Sequence, residues 1–208
     1  SEESRRLAKK LQHAMNLTAK QYRKLLSGLR AYLRVTEVYM SDNRWEEINY
    51  TAVPSKANVL YRNAFLAHDK ERREEFLQEV KQGAANMHAD VLMPHDIVTR
   101  YVTRQNWRIT VGAVDETLEA LWQNLPDMVR GAENVLCVVD GSGSMLCSVG
   151  GNTTALHVSN ALGIYFAERM KGPYQNKFIT FSASPKYVDL SGCRNLREKL
   201  ELAFSHND

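Results

Sequence analysis

Cysteine is scarce in this 208-residue chain. Cys137, Cys147 and Cys193 are too few and too scattered for a disulfide framework, and no C-x-x-C occurs. That favours a reducing, cytoplasmic setting. The opening SEESRRLAKKLQ lacks the apolar centre of a secretory signal. No stretch approaches the roughly 18 apolar residues that cross a bilayer, so a soluble protein without a membrane partner is expected. Net charge is small too, at +3 from 27 basic and 24 acidic residues. The six histidines show no H-E-x-x-H and no pair at ligand spacing. His68-Asp69 and His95-Asp96 look like acid–base pairs, but helical neighbours point about 100° apart, which favours caps and surface hydrogen bonds.

What is present is ordinary globular composition, 44% apolar and 25% charged. It excludes a disordered tail, a collagen-like repeat and a stapled miniprotein, and the length suits one large or two small domains. The charge is unevenly placed. Residues 1–34 carry Arg5, Arg6, Lys9, Lys10, Lys20, Arg23, Lys24, Arg30 and Arg34 against only Glu2 and Glu3, for +7. Residues 35–130 come to −4 and residues 131–208 are neutral. The basic segment suits a phosphate backbone or an acidic partner, but the plainer reading is a solvated helix face that meets the acidic middle of its own chain. Aromatic–basic interleaving dense enough for base stacking is absent.

Up to about residue 130 the pattern reads helical. Leu7, Leu11, Met15 and then Tyr22, Leu25, Leu26, Leu29, Leu33 recur at three- and four-residue steps. SDNRWEEINYTAVPS reads as a connection that carries the core anchors Trp45, Ile48 and Tyr50. Ser55 is the expected N-cap of the next helix. ERREEFLQEVKQG should bury Phe76, Leu77 and Val80 and stop at Gly83. Pro94 suits a first helical turn, and VDETLEALWQNLPDMV gathers Leu118, Leu121, Trp122 and Leu125. With no strand-like alternation, residues 1–130 are expected to be an all-helical domain.

Residues 131–208 read differently. Val135–Asp140 is a short apolar run ending in an acid, as in a parallel strand covered by helices on both faces. GSGSM and a polar loop with Gly150, Gly151 and Asn152 follow, then a long helical segment, then KFITFS as a second strand. This is an α/β unit, whose ligands sit at strand carboxyl ends. Asp140, Ser142 and Ser144 fall there. One carboxylate and two hydroxyls converging from a loop freed by Gly141 and Gly143 make a hard oxygen site suited to Mg²⁺. The alternative is a plain polar turn capped by Asp140. No Lys follows these glycines as a P-loop requires, and Gly141 and Gly143 stand one residue too close to Ser142 for G-x-S-x-G.

Asp140-Gly-Ser142-Gly-Ser144-Met145 resembles the first metal-binding motif of von Willebrand factor A domains, D-x-S-x-S, with Gly141 where valine is usual. FITFSASPKYVDL is similar to the hairpin that follows the motif's helix in those domains. With VYMSDNRWEEINYTAVPS, HDKERREEF and MPHDIV, most of residues 35–208 resembles an uncharacterised family, a domain of unknown function in which a helical region precedes a von Willebrand A-like domain. More distantly the plan is similar to Ro-type RNA-binding proteins, in which a helical ring (the TROVE module) binds RNA.

The resemblance implies a helical domain, 1–130, followed by a truncated Rossmann-like half sheet, 131–208. It also implies a metal-ion-dependent adhesion site (MIDAS) whose further ligands, a Thr and an Asp, come from loops well downstream. Only 68 residues follow Asp140, and Thr153 and Thr154 open the next helix instead. About 30 residues per α/β unit then leaves the first strand with an unpaired edge, to be completed by a C-terminal half or another chain. The expected function is non-enzymatic: Asp140, Ser142 and Ser144 hold Mg²⁺, which accepts a carboxylate from a protein partner. The alternative is RNA binding through the nine basic residues. Hydrolysis at Ser142 or Ser144 lacks a His–acid partner.

Overall fold

The computed structural model describes residues 2–105, 108–130 and 133–206. Packing divides the chain into two compact units, Ser1–Asn49 and Tyr50–Asp208. Residues 131 and 132, where the sequence changes character, lie outside the described residues.

The first unit holds α1 (Glu2–Ala14), α2 (Ala19–Tyr32), α3 (Thr36–Ser41) and a 3-10 turn at Trp45–Glu47. A reciprocal cap starts α2: the Thr18 hydroxyl accepts from Gln21 N–H, and the Gln21 side chain accepts from Thr18 N–H. Neither α1 nor α2 buries a single residue. Burial in this unit begins at Thr36 and centres on Trp45 and Ile48, two of the three anchors expected from the connecting segment; the third, Tyr50, is buried in the second unit.

The second unit opens with α4 (Ser55–His68), α5 (Lys70–Lys81) and α6 (Pro94–Tyr101). Pro94 takes the first helical position, whose N–H would have no partner. Phe76, Leu77 and Val80 are buried on α5, and Gly83 closes it at φ +75° with Ala84 N–H reaching back to Glu79. Ser55 is the first residue of α4 rather than its cap; Pro54 precedes it without a side-chain bond. Between α4 and α5, Asp69 accepts from Tyr50 Oη and Arg72 at 2.8 Å each. Arg73 is fully buried among the rings of Tyr50, Phe65 and Phe76, 5.0–5.4 Å from their centroids. Burial lowers its pKa to about 10.

The stretch expected to be all helical contains a β-hairpin. α6 runs straight into β1 (Val102–Gln105), which pairs antiparallel with β2 (Arg108–Val111). Its β-branched residues Val102, Thr103, Thr110 and Val111 pair across the ladder, a preference masked in the sequence by the helical period just before them. α7 (Glu116–Gln123) follows, capped by Asp115, whose Oδ1 accepts from the backbone of Thr117 and Leu118. It ends well before Val129, three residues ahead of Pro126.

The remaining elements are β3 (Cys137–Asp140), the short hairpin β4 (Ser148–Gly150) and β5 (Thr153–Thr154), α8 (Ala155–Arg169), β6 (Lys177–Phe181), β7 (Tyr187–Asp189) and α9 (Leu196–Phe204). The main sheet has the order β3-β6-β7, with β3 parallel to β6 and β6 antiparallel to β7. α8 is the crossover and packs on β3 and β6, while its outer side meets α6 and α9. The chain is therefore a mixed helix-and-sheet protein, with the helices α4–α7 in one unit with the strands.

The expectation that helices cover both faces of β3 is corrected. Val139, Phe178, Thr180 and Val188 are buried on the α8 side. On the other face Val138 is 61%, Phe181 63% and Tyr187 54% exposed. α9 packs on α8, α7 and β2 instead of crossing to that face. A seam joins α7 to α8 and α9. Trp122 Nε1 donates to Glu168 Oε2 at 2.7 Å, Arg169 Nη2 donates to Trp122 O at 3.1 Å, and Lys199 pairs with Glu168.

Candidate metal-binding loop

β3 delivers Asp140 to the carboxyl end of a parallel pair, opposite Phe181 of β6. The chain then leaves the sheet at Gly141 and tightens into a 3-10 turn, Gly143–Leu146. Asp140 Oδ1 accepts from Ser142 N–H at 3.0 Å, which bends the loop back over the strand end. Ser142 Oγ and Ser144 Oγ lie 3.0 Å apart. The three residues singled out from sequence are thus brought together. Ser142's hydrogen bonds hold the Asp140 carboxyl below its ordinary value, so it is anionic at neutral pH.

The donor set fits a hard cation. One carboxylate and two hydroxyls are all oxygen, and Mg²⁺ keeps several waters beside a few protein ligands. Among the described residues no group of three or more His, Cys, Asp or Glu is placed to hold a metal. The three cysteines are unpaired thiols.

Several residues that support the loop were not singled out from sequence. Ser159 Oγ, on α8, donates to Asp140 O at 2.8 Å and fixes the end of the strand. Gly163 lets α8 lie against β3: a Cβ there would stand 2.4 Å from Val139 Cγ2. Arg104 of β1 reaches the far end of the loop, with Nη1 3.4 Å from Leu146 O. His157 starts α8 in a reciprocal cap. Its Nδ1 accepts from Thr154 N–H at 3.2 Å, and the Thr154 hydroxyl accepts from His157 N–H at 3.3 Å. The T-x-x-H spacing was the available signal for this last pair.

Burial, then the nearby Arg104 charge, lower the His157 pKa below its ordinary 6.5. The sign follows from linkage: the unfolded state takes up the proton first. The contribution of neutral His157 to stability is full above pH 6.5 and drains away as pH falls through the folded-state value. Urea midpoints should fall on acidification from about pH 6.5, with a shallower slope in His157→Gln. Parallel slopes in the two proteins would remove His157 from this role.

The nine basic residues occupy the other unit. Arg5, Arg6, Lys9 and Lys10 lie on α1; Lys20, Arg23, Lys24 and Arg30 lie on α2, and Arg34 follows it.

Fold and loop define the class: a helix-rich α+β protein with a D-x-S-x-S loop at the end of a parallel strand. Comparison supplies the family. The chain belongs to the family described as Domain of unknown function (DUF2828), matched over residues 1–134. Residues 134–207 match a second, Domain of unknown function (DUF7788). The chain is also similar to Uncharacterized protein L728 of Acanthamoeba polyphaga mimivirus, 30% identical over 211 residues. That match covers 94% of this chain and 34% of the viral protein, so the chain spans about a third of the relative's length. No solved structure matches. Among the described residues no helix is long and apolar enough to cross a membrane.

Proposed function

We propose that this chain is a non-enzymatic binding and scaffold protein with a von Willebrand A-like half sheet and a MIDAS-type site. Asp140, Ser142 and Ser144 are the residues that would hold Mg²⁺. When bound, the cation supplies an open coordination position for a carboxylate of a protein partner. The observation that carries this reading is the convergence of one ionised carboxylate and two hydroxyls 3.0 Å apart at the carboxyl end of β3. Ser142 N–H orients the Asp140 carboxylate, and Ser159 holds the strand end beneath it. The unpaired thiols suit a cytoplasmic protein.

The bare sheet face supports a second element of the reading. β3 is an edge strand, with Val138 and Phe181 exposed beside it. An edge of this kind can take a further strand, which we assign to a partner chain. Calorimetry with Mg²⁺ tests the site: heat of binding is expected for the unaltered chain and none for Asp140→Ala. Equal binding by both would place the metal elsewhere.

RNA binding through the nine basic residues of α1, α2 and Arg34 is the second reading, with the strands structural. It is favoured by the nine cations set against only two acids in residues 1–34 and by the distant Ro-type resemblance. Affinity for RNA should then fall steeply with salt. Binding that is indifferent to salt would exclude it.

A further inference from the structure

The first two helices combine two features that neither reading of function uses together. From Ser4 to Thr36 there is no acidic residue, while nine residues are Lys or Arg. Both helices also expose a continuous apolar stripe. Leu7 and Leu11 lie on one face of α1, at 58% and 48% exposure; Leu25 and Leu29 lie on one face of α2, and Leu33 just beyond it is 67% exposed. At about 100° per residue, Lys10 and then Arg6 border the α1 stripe on one side, Arg5 and Lys9 lie on its far face, and Arg30 and Arg23 border the α2 stripe on one side.

A stripe of leucines bordered by cations, on helices whose remaining charge is almost all positive, suits something both apolar and anionic. A second copy would bring one +7 segment against another. RNA would answer the charge and leave the leucines in water. Protein surfaces mix both signs, whereas this run carries one sign over its whole length. An anionic bilayer presents a single sign of charge directly above an apolar layer. Crossing is not required: at 13 and 14 residues the helices are too short to span, yet long enough to lie in the interface.

We propose that α1 and α2 are an amphipathic anchor that lies flat on an anionic phospholipid surface, with the leucine stripe in the acyl boundary and the flanking cations at the headgroups. This surface is independent of the Asp140 loop. Because neither helix buries a residue, substitutions on it remove no buried side chain.

The test is flotation of the whole chain with vesicles of phosphatidylcholine alone, or with about 30% phosphatidylserine added, at about 0.1 M and 0.5 M salt. Phosphatidylserine should raise the bound fraction by ~10-fold or more at low salt, and high salt should reverse most of it. Leu7→Gln/Leu29→Gln and Arg6→Gln/Lys10→Gln should each lose ~10-fold while keeping the parent melting curve. Three results would overturn the proposal. One is no enrichment on phosphatidylserine vesicles. Another is tight binding of a polyuridine probe that Leu7→Gln/Leu29→Gln leaves unchanged, without vesicle binding. The last is a dimer in sedimentation that the same leucine substitutions dissolve, again without vesicle binding.

Discussion

Glu119→Ala is expected to destabilise the fold by about 2–4 kcal/mol, since each buried donor left without its acceptor costs about 1–3 kcal/mol. Glu119 sits on α7 with 7% of its surface exposed. Its Oε1 accepts from Tyr101 Oη at 2.7 Å and from Arg197 N–H at 3.1 Å, and its Oε2 accepts from Leu196 N–H at 2.8 Å. The last two donors are the first free N–H groups of α9, where a negative charge is favoured twice, by the hydrogen bonds and by the helix dipole. Alanine would leave Leu196 N–H buried and Arg197 N–H half-buried without an acceptor, while Tyr101 Oη keeps Asp115 O at 3.1 Å. Glu119→Gln keeps one carbonyl oxygen and the shape, so its cost should be smaller, about 1–3 kcal/mol. Urea unfolding reads both, and amide exchange should show α9 losing protection first. An alanine variant within about 0.5 kcal/mol of the parent would contradict this, since changes of that size mark surface sites.

Gly163→Ala should also destabilise, by about 1–3 kcal/mol, although alanine is ordinarily the better helix former by about 1 kcal/mol. Two effects oppose, and geometry decides between them. The added Cβ would lie 2.4 Å from Val139 Cγ2, and Val139 is buried and β-branched, so it cannot swing aside. α8 must move away from β3, and β3 carries Asp140 at its end. Removing the obstacle should restore the packing: Gly163→Ala with Val139→Ala is expected to be more stable than the sum of the two single changes by about 0.5–3 kcal/mol. Strict additivity in that cycle would mean that the two residues do not meet.

The sequence announced elements whose signal is local. The Phe76-Leu77-Val80 face, the Gly83 stop and Pro94 at a helix start each depend on residues within one or two turns. Asp140, Ser142 and Ser144 were legible for the same reason, since four residues of loop bring them together. Elements set by distant partners were not. Glu119 resembles any solvent-facing acid of an amphipathic helix, and its partners at Leu196 and Arg197 are 77 and 78 residues away. The β1–β2 hairpin was hidden because α6 ends at Tyr101 and β1 begins at the next residue, leaving no turn former to punctuate the change. For β3, a continuous apolar run reads the same whether one face or two are covered. Only the packing of α9 on α8, α7 and β2 reveals that the face bearing Val138 and Phe181 is bare.

The most direct measurement of the metal-site reading is paramagnetic broadening of amide resonances by Mn²⁺, a hard cation that accepts the same oxygen ligands as Mg²⁺. The expected result is broadening centred on residues 140–145, reversed by excess Mg²⁺ and abolished in Asp140→Ala. Broadening confined to acidic surfaces elsewhere, or unchanged by Asp140→Ala, would contradict the assignment of Asp140, Ser142 and Ser144 as the metal-holding residues.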